Sequence, residues 1–458
     1  MIIEGRADMM KKMATILTVV CLAAGMSLGD VWQDLAKYKY GEGNAADEAQ
    51  QLLQKTPVVQ HGAIQDSLIA VVSAKDATQD GKACACRMLQ QIGTEKCIPA
   101  MAGLLNDETL SHYARLILER MGSPKADGAM RAALDNAPDK VKIGIIGSLG
   151  ERRDLNAVNP IAKLAVHSDP AVASAAISAL GRIGGDPAAG CLSKLKPVES
   201  LKPVHMTALL DCARSLKGPG AVALYDLVLA GKTTHRIGAL SGMLAADEKK
   251  AVALMVGFVK GDDALMSGGV LTLVCGENSE YLTKAMAEAL GALPDEKKAA
   301  LITALGARGD KAALGSVAKC LASTNDRVRD AAVKAVGKMG DKEAVTLLLG
   351  TSGGATEALA GMPGIDVNDT LINALKDNKL KAPAIRALVA RGCAAAVPSL
   401  FKLLNDSDAE VRKAAWNGLG SLAADNDIVP MAKPAFAIKD AAEMSGAAAA
   451  TRKVCVQA

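Results

Sequence analysis

A phrase recurs along this chain: a short run of small and apolar residues that closes on a glycine. It reads QQIG at Gly93, LERMG at Gly122, GSLG at Gly150, GRIG at Gly184, RSLKG at Gly218, LVCG at Gly276, GARG at Gly309, GKMG at Gly340 and VARG at Gly392. Successive glycines are 29, 28, 34, 34, 58, 33, 31 and 52 residues apart, and the two long gaps each hide a degenerate copy, around residues 242–247 and 359–364. A period near 31 over so much of a 458-residue chain excludes a few independent globular cores. Each unit is too small to bury its own apolar surface and must lean on its neighbours.

Within a unit the apolar spacing is helical. In DRVRDAAVKAVGKMGDKEAVTLLL, residues Val328, Ala331, Ala332, Ala335, Val336 and Met339 fall on one face of a helix that Gly340 ends. Asp341 is placed to cap a second helix carrying Ala344, Leu347 and Leu348 on one side. Period-two runs of Val, Ile and Thr are absent, which removes propellers and leucine-rich horseshoes. Composition agrees: half the residues are hydrophobic but only 2% are aromatic, so cores are filled by Ala, Leu, Val, Ile and Met. Small residues at AAVKAVG, AAISALG and ITALGARG let helix axes approach closely. The expected fold is an all-α, right-handed superhelical solenoid of about a dozen antiparallel helix pairs.

Three windows carry a family resemblance: 325–349, 407–434 and 168–195, the last reading SDPAVASAAISALGRIGGDPAAGCLSKL. They resemble HEAT repeats of the short bacterial sort, also seen in phycobilisome lyases. The resemblance covers residues 80–430 and fades near 220–300 and 350–380; residues 30–79 are expected to form N-terminal capping helices and 431–458 a C-terminal cap or tail. It also implies a ladder between units, with an acid in the turn before a second helix and a base early in it. Eleven residues before the repeat glycines stand Lys82, Lys298, Arg329 and Lys381, and Arg412 stands eleven before Ala423. Asp326 and Asp408 supply the acid in the two best units, while Thr207 and Leu265 interrupt the series. The alternative for these bases is a stripe facing a ligand.

Residues 9–29 read as a secretory signal: Lys11 and Lys12, an apolar run from Met13 to Leu28, then small residues, with cleavage expected between Gly29 and Asp30. Acids among the eight preceding residues suit a signal poorly, which points to a start at Met9 or Met10. The alternative is an uncleaved membrane anchor, for which the run is short. No other segment is apolar enough to span a bilayer, so the mature chain is expected to lack an integral membrane segment. Nine cysteines would remain after cleavage, an odd and irregularly spaced set that is no disulfide framework. Cys84 or Cys86 would have to reach Cys97 for any pairing.

Chemistry is hard to find. The five histidines are scattered, no HExxH or His-Glu dipeptide exists, and metal chelation has no support. Gly25 to Gly29 spells GxSxG only inside the signal, and residues 226–233 approach a phosphate-binding loop with Asp226 where its first glycine belongs. A net charge of +4 with interspersed signs and few rings argues against nucleic acid. Trp32, Tyr38 and Tyr40 cluster just after the cleavage site, either as a cap on the first repeat or as a docking patch. Trp416 is expected near the opposite end. No cofactor is expected. The leading reading is a monomeric, non-catalytic scaffold that holds a protein partner on the concave face of its second helices. The rival is a lyase-like enzyme using a cleft and the thiol of Cys84 or Cys86.

Overall fold

Helix follows helix throughout. The structure, a computed structural model, describes residues 28–231, 234–351 and 353–457. Among these there are twenty-eight α-helices, joined by turns and short 3-10 segments, and no β-strand beyond one isolated bridge between Lys39 and Glu42. Residues 9–27 of the signal segment lie outside the described residues, as do residues 232 and 233 of the loop-like motif, whose residues 226–230 are in the helix Pro219–Ala230; the first described helix is Leu28–Lys37.

The chain forms two compact units that divide after Asp247. Each has two layers. In the N-terminal unit the second layer is Gln79–Ile92, Ser111–Arg120, Asp139–Glu151, Pro170–Ile183, Lys202–Arg214 and His235–Ala246, each packed against the next. Shorter helices such as Ile98–Leu104, Pro124–Leu134 and Val158–Leu164 form the first layer, each leaning on its own partner. In the C-terminal unit the second layer is Ala264–Gly276, Asp295–Arg308, Asp326–Met339, Ala355–Gly361, Lys381–Ala390, Ala409–Leu422 and Ala441–Gln457. Its first layer includes Glu280–Ala289, Lys342–Leu349, Ile365–Ala374 and Ile428–Phe436. This is an α-solenoid arrangement, with stability held between neighbours rather than in one core.

Local chemistry fixes these boundaries. Asp169, Asp263, Ser279, Asn325 and Asp408 each accept a hydrogen bond from a first-turn amide of the helix they precede. Asp341 does the same for Lys342–Leu349, taking the Ala344 amide at 3.0 Å. Gly309, with φ +72°, ends Asp295–Arg308 in the left-handed conformation that favours glycine. Helix Asp326–Met339 buries Val333 and Gly337 in addition to most of its expected stripe. The stripe is wider than one face because such a helix is covered by its partner and by both neighbours in the layer.

Some repeat glycines do not end helices. Gly150 lies inside Asp139–Glu151, where a Cβ would stand 3.1 Å from Ala179 of the next second helix. Gly181 on Ala208, Gly306 on Ala335, Gly337 on Ala358 and Gly420 on Ala450 repeat this approach, with a Cβ at 2.6–3.0 Å from the alanine. Such distances are shorter than carbon atoms tolerate, so glycine is there to let two helices touch backbone to backbone. The described residues of the stretch 220–300, which looks degenerate in sequence, form helices joined by short turns like the rest. It packs differently: Gly242 lies under the buried ring of Tyr225, and Leu210 reaches Gly238.

Trp416 lies near the carboxy-terminal end of the array. It is 2% exposed inside Ala409–Leu422, and two more helices follow. Ala441–Gln457 closes on Ala409–Leu422 by the same glycine-to-alanine contact.

Candidate functional site

The N-terminal aromatic residues separate. Trp32 is 8% exposed, packed inside Leu28–Lys37, whereas Tyr40 is 85% exposed. Tyr38 is half-buried and its carbonyl accepts the Thr78 hydroxyl; the Ala36 carbonyl accepts the Thr78 amide at 2.8 Å. The carbonyl end of one helix is thus docked on the amide end of Gln79–Ile92, a favourable alignment of their dipoles. Trp32 floors a cleft of about 440 Å³ with Ala70 and Val71 of His61–Ser73 and Ala74 just after it. The three rings therefore form no common patch.

The bases predicted for a ladder act in two ways. Lys381 and Arg412 reach across to a following unit: Lys381 Nζ lies 2.7 Å from Asp406, and Arg412 holds Glu443 through two bonds of 2.9 Å. Lys298 and Arg329 pair inside their own helices, with Asp295 and Asp326. Asp408 caps Ala409–Leu422 through the Glu410 amide at 2.9 Å. Lys82 makes no ion pair but adds to the field that holds Asp107 below the usual carboxylate range; burial opposes this, and the amides of Leu110 and Thr109 overcome it. The Asp406 carboxyl is also held low, first by its bond from Lys381.

Sequence reasoning missed a more regular device. Arg152 donates to the carbonyls of Leu118, Glu119, Met121 and Ser123, which are the loose end of the preceding second helix, and to the Asp127 carboxylate. Arg391 repeats the register on Leu359, Ala360, Met362 and Gly364, with Asn368 in place of the aspartate. Arg308 does so in part, on Val274, Ser279 and the Thr283 hydroxyl, which in turn donates to Asp310 at 2.6 Å. Asp127, Thr283 and Asn368 are each the fourth residue of their helix. A delocalised cation with five donors is suited to gathering several carbonyl oxygens at a helix C-terminus. The signal was visible: Arg308 and Arg391 stand immediately before repeat glycines.

The thiols are poorly placed for chemistry. Cys84, Cys86, Cys97, Cys212 and Cys393 are buried and unpaired. Burial, with Cys97 nearby, pushes the Cys86 thiol up to about 12, and burial raises Cys212 to about 11. A thiol so protonated is a weak nucleophile. His205 is buried too; its Nε2–H donates to the Leu192 carbonyl at 2.8 Å while Nδ1 has no partner, and burial lowers its pKa. Among the described residues no group of three His, Cys, Asp or Glu side chains is arranged to hold a metal ion. No described helix is long and apolar enough to cross a membrane.

Open clefts occur in both units: one of about 950 Å³ lies in the N-terminal unit, lined by Leu53, His61, Gln65 and Gln91 among others, and two lie on the second layer of the C-terminal unit. A groove of about 710 Å³ runs between Asp326–Met339 and Ala355–Gly361. A smaller one of about 430 Å³, containing Ile385, Val389, Arg386 and Lys413, runs between Lys381–Ala390 and Ala409–Leu422. Clefts of this size with apolar floors and a few polar groups suit side chains of a ligand or partner.

No curated protein matches the chain. Among solved structures it is similar to Kap95p in its RanGDP complex, at 12% identity over 94% of this chain and 67% of that one, with a TM-score of 0.37. Kap121p matches at 12% identity over 90% of this chain, which spans 56% of Kap121p, with a TM-score of 0.39. Importin beta matches at 14% identity over 93% and 67%, with a TM-score of 0.35. The family model for HEAT repeats matches residues 126–197, 279–359 and 368–451, together more than half of the chain. With its stacked helix pairs and glycine-mediated contacts already described, the chain belongs to the HEAT-repeat family.

Proposed function

We propose that this chain is a non-catalytic scaffold, exported from the cytoplasm, that holds a protein partner on the concave surface formed by its second helices. One observation carries the reading: the second-layer helices of the C-terminal unit present two grooves with apolar floors, while Arg391 and Arg412 are engaged in holding neighbouring helices together. A surface of that kind offers contact area without reactive groups. The thiol-enzyme reading is disfavoured because Cys84 and Cys86 are buried and Cys86 is strongly protonated.

Affinity capture from the exported fraction, with the chain beginning at Asp30 as bait, tests the scaffold. A partner that co-purifies in fixed stoichiometry supports it; recovery of nothing above background overturns it. Amino-terminal sequencing of chain recovered outside the cytoplasm tests the export claim, with Asp30 expected as the first residue.

A further inference from the structure

The seams of the second layer differ. Asp295–Arg308 and Asp326–Met339 meet backbone to backbone where Gly306 lies on Ala335. At the next seam Gly337 lies on Ala358 in the same way, but Ala355–Gly361 has seven residues against fourteen in Asp326–Met339, and beside that contact lies the groove of about 710 Å³. Val333, Ala358 and Pro363 supply its apolar lining and Gly337 its floor, and a Cβ on Gly361 would meet nothing within 4 Å.

Four charged residues line the groove. Arg329, outside the groove on the same helix, is paired with Asp326. Lys334 and Lys338, one turn apart on the groove wall, are exposed and form no ion pair within 4 Å. The positions 31 residues earlier, on Asp295–Arg308, are Thr303 and Ala307. Lysines thus stand where the short helix leaves a groove and are missing where two helices of fourteen residues meet. Asp330, one turn before Lys334, and Glu357 on the opposite wall are exposed and outside any ion pair as well. The lining is therefore neutral in sum, and order of charge rather than net charge distinguishes ligands.

We propose that this groove docks an amphipathic helix of a partner protein that presents an apolar side chain to Val333, Ala358 and Pro363 and two carboxylates one turn apart to Lys334 and Lys338. A basic residue one further turn along meets Asp330. Residues one turn apart on any helix are about 6 Å apart, so a helical partner matches the lysine spacing without strain. Apolar contact in the groove supplies affinity, and the ordered charges select the partner and its direction. The proposal rests on the scaffold reading and gives it a location and a partner chemistry.

Two labelled helical peptides of about four turns test it on the full chain by fluorescence anisotropy. Both carry a leucine face; one has two glutamates one turn apart followed by a lysine, and the other has these charges exchanged. The first is expected to bind more tightly by about tenfold at low salt, with the difference shrinking as salt rises. Lys334→Glu with Lys338→Glu should reverse the preference, and Gly361→Phe should weaken both peptides by filling the groove. Thermal melts confirm that each variant is folded; if the double reversal melts early, Gly361→Phe decides. Equal binding of both peptides, or a preference untouched by the lysine reversal, overturns the groove. So does absence of binding while affinity capture still recovers a partner, which leaves the scaffold standing; failure of both removes the scaffold as well.

Discussion

Gly306 and Ala335 stand so close that a Cβ built on the glycine would lie 2.6 Å from the alanine Cβ and 2.7 Å from its Cα. Both atoms belong to helix backbones or their first carbon, and neither can swing away. Replacing a helical glycine by alanine ordinarily stabilises by up to about 1 kcal/mol. Here the clash decides the sign, and Gly306→Ala is expected to destabilise by about 1–3 kcal/mol, the range for overpacking. Gly257→Ala, in a helix where a Cβ meets nothing within 4 Å, should stabilise instead. Urea unfolding of both variants checks the contrast; two shifts of the same sign would refute it.

Arg391 is expected to tolerate no conservative change. Arg391→Lys keeps the charge but loses the planar fork that reaches four carbonyls and Asn368. A loss of about 2 kcal/mol is expected, from acceptors left unpaired at a half-buried helix end. Arg386→Lys, on the same helix, serves as the control and should leave the urea midpoint unchanged.

His205 gives the fold a pH dependence. Burial lowers its folded-state pKa below 6.5, so the native protein favours the neutral ring and the unfolded chain takes up a proton first. The contribution to stability is complete above pH 6.5 and declines as pH falls through 6.5 toward the lowered native value. Carboxylates held low, such as Asp406, act only in a more acidic range. Unfolding midpoints between pH 7.5 and 5.5 should fall in the natural chain and fall less in His205→Gln.

Thiol labelling separates the scaffold from its rival. Cys275 and Cys455 are exposed and should react first in the native protein. Cys86, Cys97 and Cys212 should react only on unfolding, since burial both shields them and raises their pKa. Peptide mapping after a short alkylation gives the order. Labelling of Cys86 as fast as Cys455 would revive the thiol enzyme.

Much of the fold is legible in the sequence because it is written in spacing. The apolar stripe from Val328 to Met339, the stop at Gly340 and the cap at Asp341 each follow from a local rule, and each is found. What spacing hides is the pairing of residues in different units. GARG and GKMG look like helix terminators, yet Gly306 and Gly337 at their heads are contact points whose partners, Ala335 and Ala358, lie in later helices. Counting back from glycine finds Lys298 and Arg329, which pair locally, and passes over Arg308 beside the glycine itself. The groove beside Ala355–Gly361 was least legible, because its presence depends on that helix being short, and residues 350–364 carry no clear periodicity.

The direction of the arginine contacts bears on how the protein is made. Arg152 closes carbonyls as far back as Leu118, 34 residues earlier, and Arg391 those from Leu359, 32 earlier. Each of these helices therefore leaves the ribosome with its end unsealed and is finished only when the arginine of a later segment emerges. Assembly at these points runs from the amino terminus, with one helix always waiting. A chain interrupted before such an arginine would expose that waiting end to chaperones and proteases, so truncation products should be cleared according to where they stop rather than how long they are.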